Sequence, residues 1–247
     1  MFIHQGNRRT PRHNLQIASL LSFVAGMVNV AGFLAVAKLT TNVTGHFAFF
    51  VDELFKLNFW NGFIYFLYIF FFFLGSFSSS FLVELLSRRN ENYVYVVPTS
   101  IECTILILAG WFGGNLIVTH PNLIACSLLF AMGLQNSLVT RISNSAVRTT
   151  HLTGLFTDLG IELSQLFFYR DEEVRKKLFQ SIRLRFTIIS FFFIGGIVGG
   201  VFYSRIGLTV LWLGSITLIA GIVYDNVRLK VKLIARKYRG LPNSSSE

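Results

Sequence analysis

Six stretches of this chain are each apolar over about the 20 residues that a helix needs to cross a bilayer. They run from 15 to about 39, 60 to 86, about 93 to 116, about 122 to 142, 186 to 203, and 206 to about 227. Inside hydrocarbon every backbone N–H and C=O must be bonded within its own segment, so each stretch is expected to be a helix. Composition agrees. Of 247 residues, 53% are hydrophobic and only 14% charged, against about 25% in soluble domains. A soluble globular enzyme, a disordered chain and a collagen-like fibre are excluded. The expected fold is all-α, a polytopic membrane helix bundle. Its single membrane domain (15–228) is flanked by a basic N-terminus (1–14) and a basic, polar tail (229–247).

The net charge of +10 would ordinarily raise the question of nucleic acid, but its distribution points to membrane topology. Arg8, Arg9, Arg12 and His13 precede the first stretch, and Arg88 and Arg89 join the second to the third. Arg170, Arg175, Lys176, Lys177, Arg183 and Arg185 lie between the fourth and fifth. Arg228, Lys230, Lys232, Arg236, Lys237 and Arg239 follow the sixth. The other connections are poor in Lys and Arg. Six crossings with both termini cytoplasmic put every basic patch on one side. The expected setting is a membrane, with the bilayer and a small solute as partners and no nucleic acid. Assembly into a homo-oligomer is left open.

Two shorter segments, 43–57 and 152–168, each carry two acidic residues. Counting them as crossings would move Arg88 and Arg89 outside, so they are read as short amphipathic or re-entrant helices, tolerated at depth where protein buries them or a cavity lies beside them.

The chain also repeats itself. TTNVTG at 40–45 returns as TTHLTG at 149–154, FFFLGSFSSS at 71–80 as FFFIGGIVGG at 191–200, and TILILAG at 104–110 as SITLIAG at 215–221. The order is kept, at offsets of 109, 120 and 111. Each half, about 15–118 and 120–228, then holds three crossings and one Thr-Gly segment. An odd number of crossings inverts the second copy, the 3+3 arrangement met in secondary transporters.

The Thr-Gly segments are the strongest site candidates: Thr40, Thr41, Asn42, Thr44, Gly45 and His46 in the first half, Thr149, Thr150, His151, Thr153 and Gly154 in the second. Hydroxyls at a helix N-terminus can cap it, and its free N–H groups favour an anion or a carbonyl oxygen. Lys38 and Arg148 lie just upstream. Two readings stand side by side: paired half-sites for a solute, or backbone satisfied where a span ends. Amides at Asn29, Gln135 and Asn136 precede the segments and bond between helices or line a polar path. Glu53, Glu102, Asp158 and Glu162 are candidates for proton or ion coupling, because acids at membrane depth are costly; a solvated face is the alternative for the short helices. Gly75, Ser76, Ser79 and Ser80 match Gly195, Gly196, Gly199 and Gly200 at the spacing that lets helices approach closely.

No catalytic motif, cofactor signature or metal-ligand spacing is present, so no enzymatic activity, cofactor or metal is expected. Cys103 and Cys126 read as small buried hydrophobes.

On AGMVNVAGFL (25–34), TTNVTGHFAF (40–49), AMGLQNSLVTR (131–141) and VRTTHLTGLFTDLG (147–160), the chain resembles the YoaK-like family of bacterial membrane proteins, a domain of unknown function. The resemblance spans about residues 15–228 and implies an integral cytoplasmic-membrane protein. Asn29 stands where that family usually has an acid, and His46 where it has Asn, so no coupling role is carried over to Asn29. The expected function is that of a small-solute secondary transporter or permease. The alternative is a non-transporting scaffold that binds lipid or a partner.

Overall fold

The computed structural model describes residues 11–88, 94–143 and 147–238. Arg8, Arg9, Arg89 and Arg239, with the outer parts of both termini, lie outside the described residues; so does the side chain of Arg12, and α8 beyond Val227 is described by its backbone alone. The elements are α1 (Pro11–Val36), α2 (Val43–Phe55), α3 (Phe59–Ser87), α4 (Val96–Thr119), α5 (Pro121–Ile142), α6 (Leu152–Phe168), α7 (Glu172–Ile206), a 3-10 turn (Gly207–Val210) and α8 (Leu211–Tyr238).

Among the described residues, five helical stretches are long and apolar enough to cross a membrane: His13–Val36, Phe59–Ser87, Val96–Thr119, Pro121–Ile142 and Glu172–Tyr224. The last has 53 residues and runs through α7, the 3-10 turn and α8. Gly207 divides it, with φ +60, a left-handed geometry that favours glycine. α2 and α6 have 13 and 17 residues, or about 20 and 26 Å at 1.5 Å per residue.

One expectation needs correcting. Residues 172–185 read from sequence as a basic loop, but they are the first turns of a 35-residue α7. Asp171 starts it: its carboxylate accepts from the Val174 N–H at 2.9 Å, and Glu172 and Glu173 occupy the positive end of the helix. Charge density concealed a good capping sequence.

The bundle is organised in pairs. α1 packs chiefly on α7, α3 on α5, and α4 on α5 and α8. Glycines set the closest approaches. A methyl group at Gly26 would run into the Phe192 carbonyl, and one at Gly195 into that of Phe23. Likewise Gly75 abuts the Phe130 carbonyl, and Gly133 that of Phe72. Gly195 meets Phe23 and Gly199 meets Met27, so α1 and α7 run parallel. Ser76 bonds Gly133 and Ser80 bonds Arg141, so α3 and α5 also run parallel. α4 and α8 run antiparallel: Cys103 meets Ser215 and Ile107 meets Trp212. The core between these pairs is aliphatic, with Val24, Val28, Leu128, Ala131 and Met132 fully buried. Outward, α3 presents Phe63, Phe66, Phe70, Phe73, Phe77 and Phe81.

Candidate functional site

The first Thr-Gly segment follows the end of α1, where Ala37 takes φ 51 and the chain folds back on its own helix. Thr40 is fully buried and donates to the Val28 carbonyl at 3.2 Å. Thr41 donates to Asn29 Oδ1 at 2.7 Å. These hydroxyls therefore turn back to α1 and do not cap α2; Asn42 does that, accepting from the Gly45 N–H at 3.2 Å. Thr44 is exposed, and Gly45 packs its backbone against Leu39.

His46 is 1% exposed. Its Nε2 lies 2.5 Å from the Leu39 carbonyl and its Nδ1 has no partner. Its ring packs against Tyr68, with centroids 5.0 Å apart, and Tyr65 at 6.0 Å. Lys38 donates to the Tyr65 hydroxyl at 3.0 Å and lies 4.8 Å from that ring's centroid. Tyr68 donates to Asn122 at 2.5 Å, tying α3 to the start of α5. Sequence reasoning missed Tyr65 and Tyr68, hidden in an aromatic run.

Burial lowers the His46 pKa from its ordinary 6.5, and the nearby Lys38 charge lowers it further; the bond to the Leu39 carbonyl opposes both. The neutral ring is thus the form that packs. A depressed folded pKa adds stability above the unfolded value, and that stability is lost as pH falls from about 6.5 through the folded pKa. Backbone amides of residues 39–46 are expected to exchange faster as pH is lowered through that window, after correction for intrinsic exchange, and a His46→Leu protein is expected to show no such change.

The second segment uses the same parts differently. Thr149 is fully buried and accepts from Gln135 Nε2 at 3.3 Å, while the same amide nitrogen donates to the Leu21 carbonyl at 2.9 Å. Gln135 Oε1 and Asn136 Oδ1 are buried with no partner. Thr150 is half-buried, Thr153 and His151 are exposed, and His151 packs its ring over Gly154 at the start of α6.

Asp158 and Glu162 on α6 converge on Arg185 of α7. Arg185 donates to Glu162 at 2.6 Å and to Asp158 at 3.1 Å, and also bonds Ser181. Arg185 was read only as part of a basic loop; the repeat offset of 120 would have aligned it with Tyr65. Glu53, which matches Glu162, is half-buried on α2. Glu102 is buried within α4 and neither of its carboxylate oxygens has a partner.

The two segments do not come together around one opening. α2 packs on α3 and α6 on α7. The Val28 carbonyl that holds Thr40 and the Leu21 carbonyl that holds Gln135, the partner of Thr149, are seven residues apart on α1, a rise of about 10 Å. Aliphatic side chains fill the interval. Among the described residues, no group of three or more His, Cys, Asp or Glu is placed to hold a metal.

Set against known proteins, residues 17–224 match the model of a family described as a protein of unknown function, DUF1275. No curated protein and no solved structure matches the chain.

Proposed function

The chain belongs to the DUF1275 family, whose function is unknown, and from that premise we propose that it is a small-solute secondary transporter of the bacterial cytoplasmic membrane. Within the family we group it with the YoaK-like proteins, on the motifs quoted above. In this reading the chain crosses the bilayer six times, with both termini cytoplasmic, as two inverted halves of three crossings each. The bilayer and one small solute are its partners, and it performs no covalent chemistry.

The helix directions support six crossings. α1 and α7 run together, α3 and α5 run together, and α4 and α8 run opposed, as alternating crossings require. The glycine contacts support the inverted repeat. At offsets of 107 on α1 and α5 and 120 on α3 and α7, Gly26 against Phe192 becomes Gly133 against Phe72. By the same offsets, Gly195 against Phe23 becomes Gly75 against Phe130.

The observation that carries the transport reading is the pair of irregular segments, each anchored by a buried threonine on the first helix of a half. Unwound backbone of this kind, between inverted halves, is where transporters of this type hold their solutes. The aliphatic packing between the anchors corresponds to an occluded conformation; the orphaned amide oxygens of Gln135 and Asn136 mark the polar groups that a path through the centre would use.

Proteoliposomes screened against solute classes test this. Flux of one class is expected, with Thr40→Val, Thr149→Val and Gln135→Leu each slowing it more than Thr44→Val or Thr153→Val. No flux of any class, with all five substitutions silent in folding and growth assays, would sink the reading.

The phenylalanines exposed along α3 and a surface cavity of about 520 Å³ lined by Arg175, Lys176 and Arg183 together with Glu172, Phe179 and Gln180 favour a second reading, a scaffold that retains anionic lipid. Loss of co-purified lipid on neutralising Lys176 and Lys177, with no flux in any protein, would select it.

A further inference from the structure

Three of the four carboxylates singled out from the sequence have a neighbour of opposite charge or lie outside the spanning stretches. Asp158 and Glu162 share Arg185, and Glu53 sits half-buried on α2. Glu102 differs from all of them. It lies inside a stretch long and apolar enough to cross the membrane, it is 1% exposed, and both of its oxygens lack a hydrogen-bond partner.

The groups beside it are engaged elsewhere. Thr99 donates to the Tyr95 carbonyl at 2.8 Å. The Cys103 thiol donates to the Ser215 carbonyl, and the Ser215 hydroxyl returns a bond to the Cys103 carbonyl at 3.1 Å. α4 packs on α5, α8, the 3-10 turn and, more lightly, α3. On α5, Arg141 is held by Glu84 and Ser80 of α3, and Cys126 packs with Tyr68. Arg88 at the end of α3 also pairs with Glu84. On α8, the titratable side chain among those described is Tyr224, which is exposed. None of these cations reaches Glu102.

A desolvated carboxylate with neither donor nor cation is strongly disfavoured as an ion, whereas the neutral acid is tolerated. A bound metal cation would need a shell of several oxygens, and no cluster of ligating side chains includes Glu102 among the described residues. A proton needs only the carboxylate itself. The equivalent position in the second half is Leu213, so the site exists once.

We propose that Glu102 is a membrane-embedded proton-binding site and, resting on the transport reading above, that it couples one proton to each solute cycle. The carboxyl takes a proton in the conformation described here and releases it when rearrangement of α4 against α5 and α8 exposes it to water. The step is the protonation RCOO⁻ + H⁺ → RCOOH, balanced in atoms and charge, with no other reactant.

The test uses the full-length protein in liposomes and dicyclohexylcarbodiimide, which adds to a protonated carboxyl buried in lipid and leaves an acylurea. Peptide mass mapping is expected to find the adduct on Glu102 at acidic pH and its loss at alkaline pH. Glu102→Gln is expected to abolish the adduct and the infrared carbonyl band of one protonated carboxyl, and Glu102→Asp to keep both. No adduct at any pH, with an unchanged band in Glu102→Gln, overturns the proton site. An adduct without flux of any solute keeps the site and removes the transport reading. Flux driven by a pH gradient and undiminished in Glu102→Gln overturns the coupling.

Discussion

Alanine at Gly195 is expected to destabilise the protein by about 3 kcal/mol, the upper part of the usual range for overpacking a tight interface. Helix propensity alone argues the other way, since Gly to Ala in a helix interior gains about 1 kcal/mol. Geometry decides. The added methyl would meet the backbone carbonyl of Phe23, and backbone cannot rotate aside as a side chain tip can. α1 and α7 would have to part along their length, with loss of the contacts around Met27 and Phe192. Gly26, Gly75 and Gly133 face backbone in the same way, and alanine at each is expected to cost a similar amount. Gly114 and Gly160 have nothing within 4 Å of an added methyl, so alanine there is expected to be neutral or mildly stabilising. Unfolding of the six variants in mixed micelles reads this directly. A neutral result at Gly195 or Gly75 would contradict the interface described.

The second large effect is expected at Arg185. Its side chain is 22% exposed and that of Glu162 14%, whereas Asp158 is 52% exposed. The Glu162 arm is thus the desolvated one, and the Asp158 arm is worth under about 1 kcal/mol. Arg185→Gln would strand the Glu162 carboxylate, with Oε2 already lacking a partner, and the cost of breaking this partly buried pair is about 2 kcal/mol, between that of an exposed pair and that of a fully buried one. Adding Glu162→Gln should recover much of it, because the stranded charge is then gone. The loss should be local: amides of α6 exchange faster, those of α2 do not. In the first half the matching positions, 49 and 65, are Phe49 and Tyr65, whose rings stack at 5.2 Å. Tyr65→Phe removes one hydroxyl bond to Lys38 and is expected to cost only about 1 kcal/mol. Equal effects of Arg185→Gln and Tyr65→Phe would show that the ion pair does not hold α6.

Much of this architecture was legible because membrane helices are written in long apolar runs, and because the small residues on α3 and α7 recur in register. The sequence pattern TTxxTG located both irregular segments. It did not say where the hydroxyls go. Capping was the natural expectation for Thr, but Thr40 and Thr41 turn to α1, a choice settled by the reversal at Ala37, which brings them over Val28 and Asn29. The first turns of α7 were missed because charge was taken as a mark of a loop, although Asp171 followed by two glutamates is a helix start. The partner of Asp158 and Glu162 was hidden for a related reason. A cation 23 residues from Glu162 leaves no local signal, and the repeat aligns it with an uncharged Tyr65.

The most direct test of the account is the side of the membrane on which residues 44 and 153 lie. Both are exposed at matching positions of the two halves, while Cys103 and Cys126 are buried. Single cysteines at these positions can therefore be labelled in intact cells with a membrane-impermeant maleimide. An inverted repeat with six crossings predicts that Thr44→Cys reacts from outside and Thr153→Cys only after the membrane is opened. Labelling of both from the same side would contradict it.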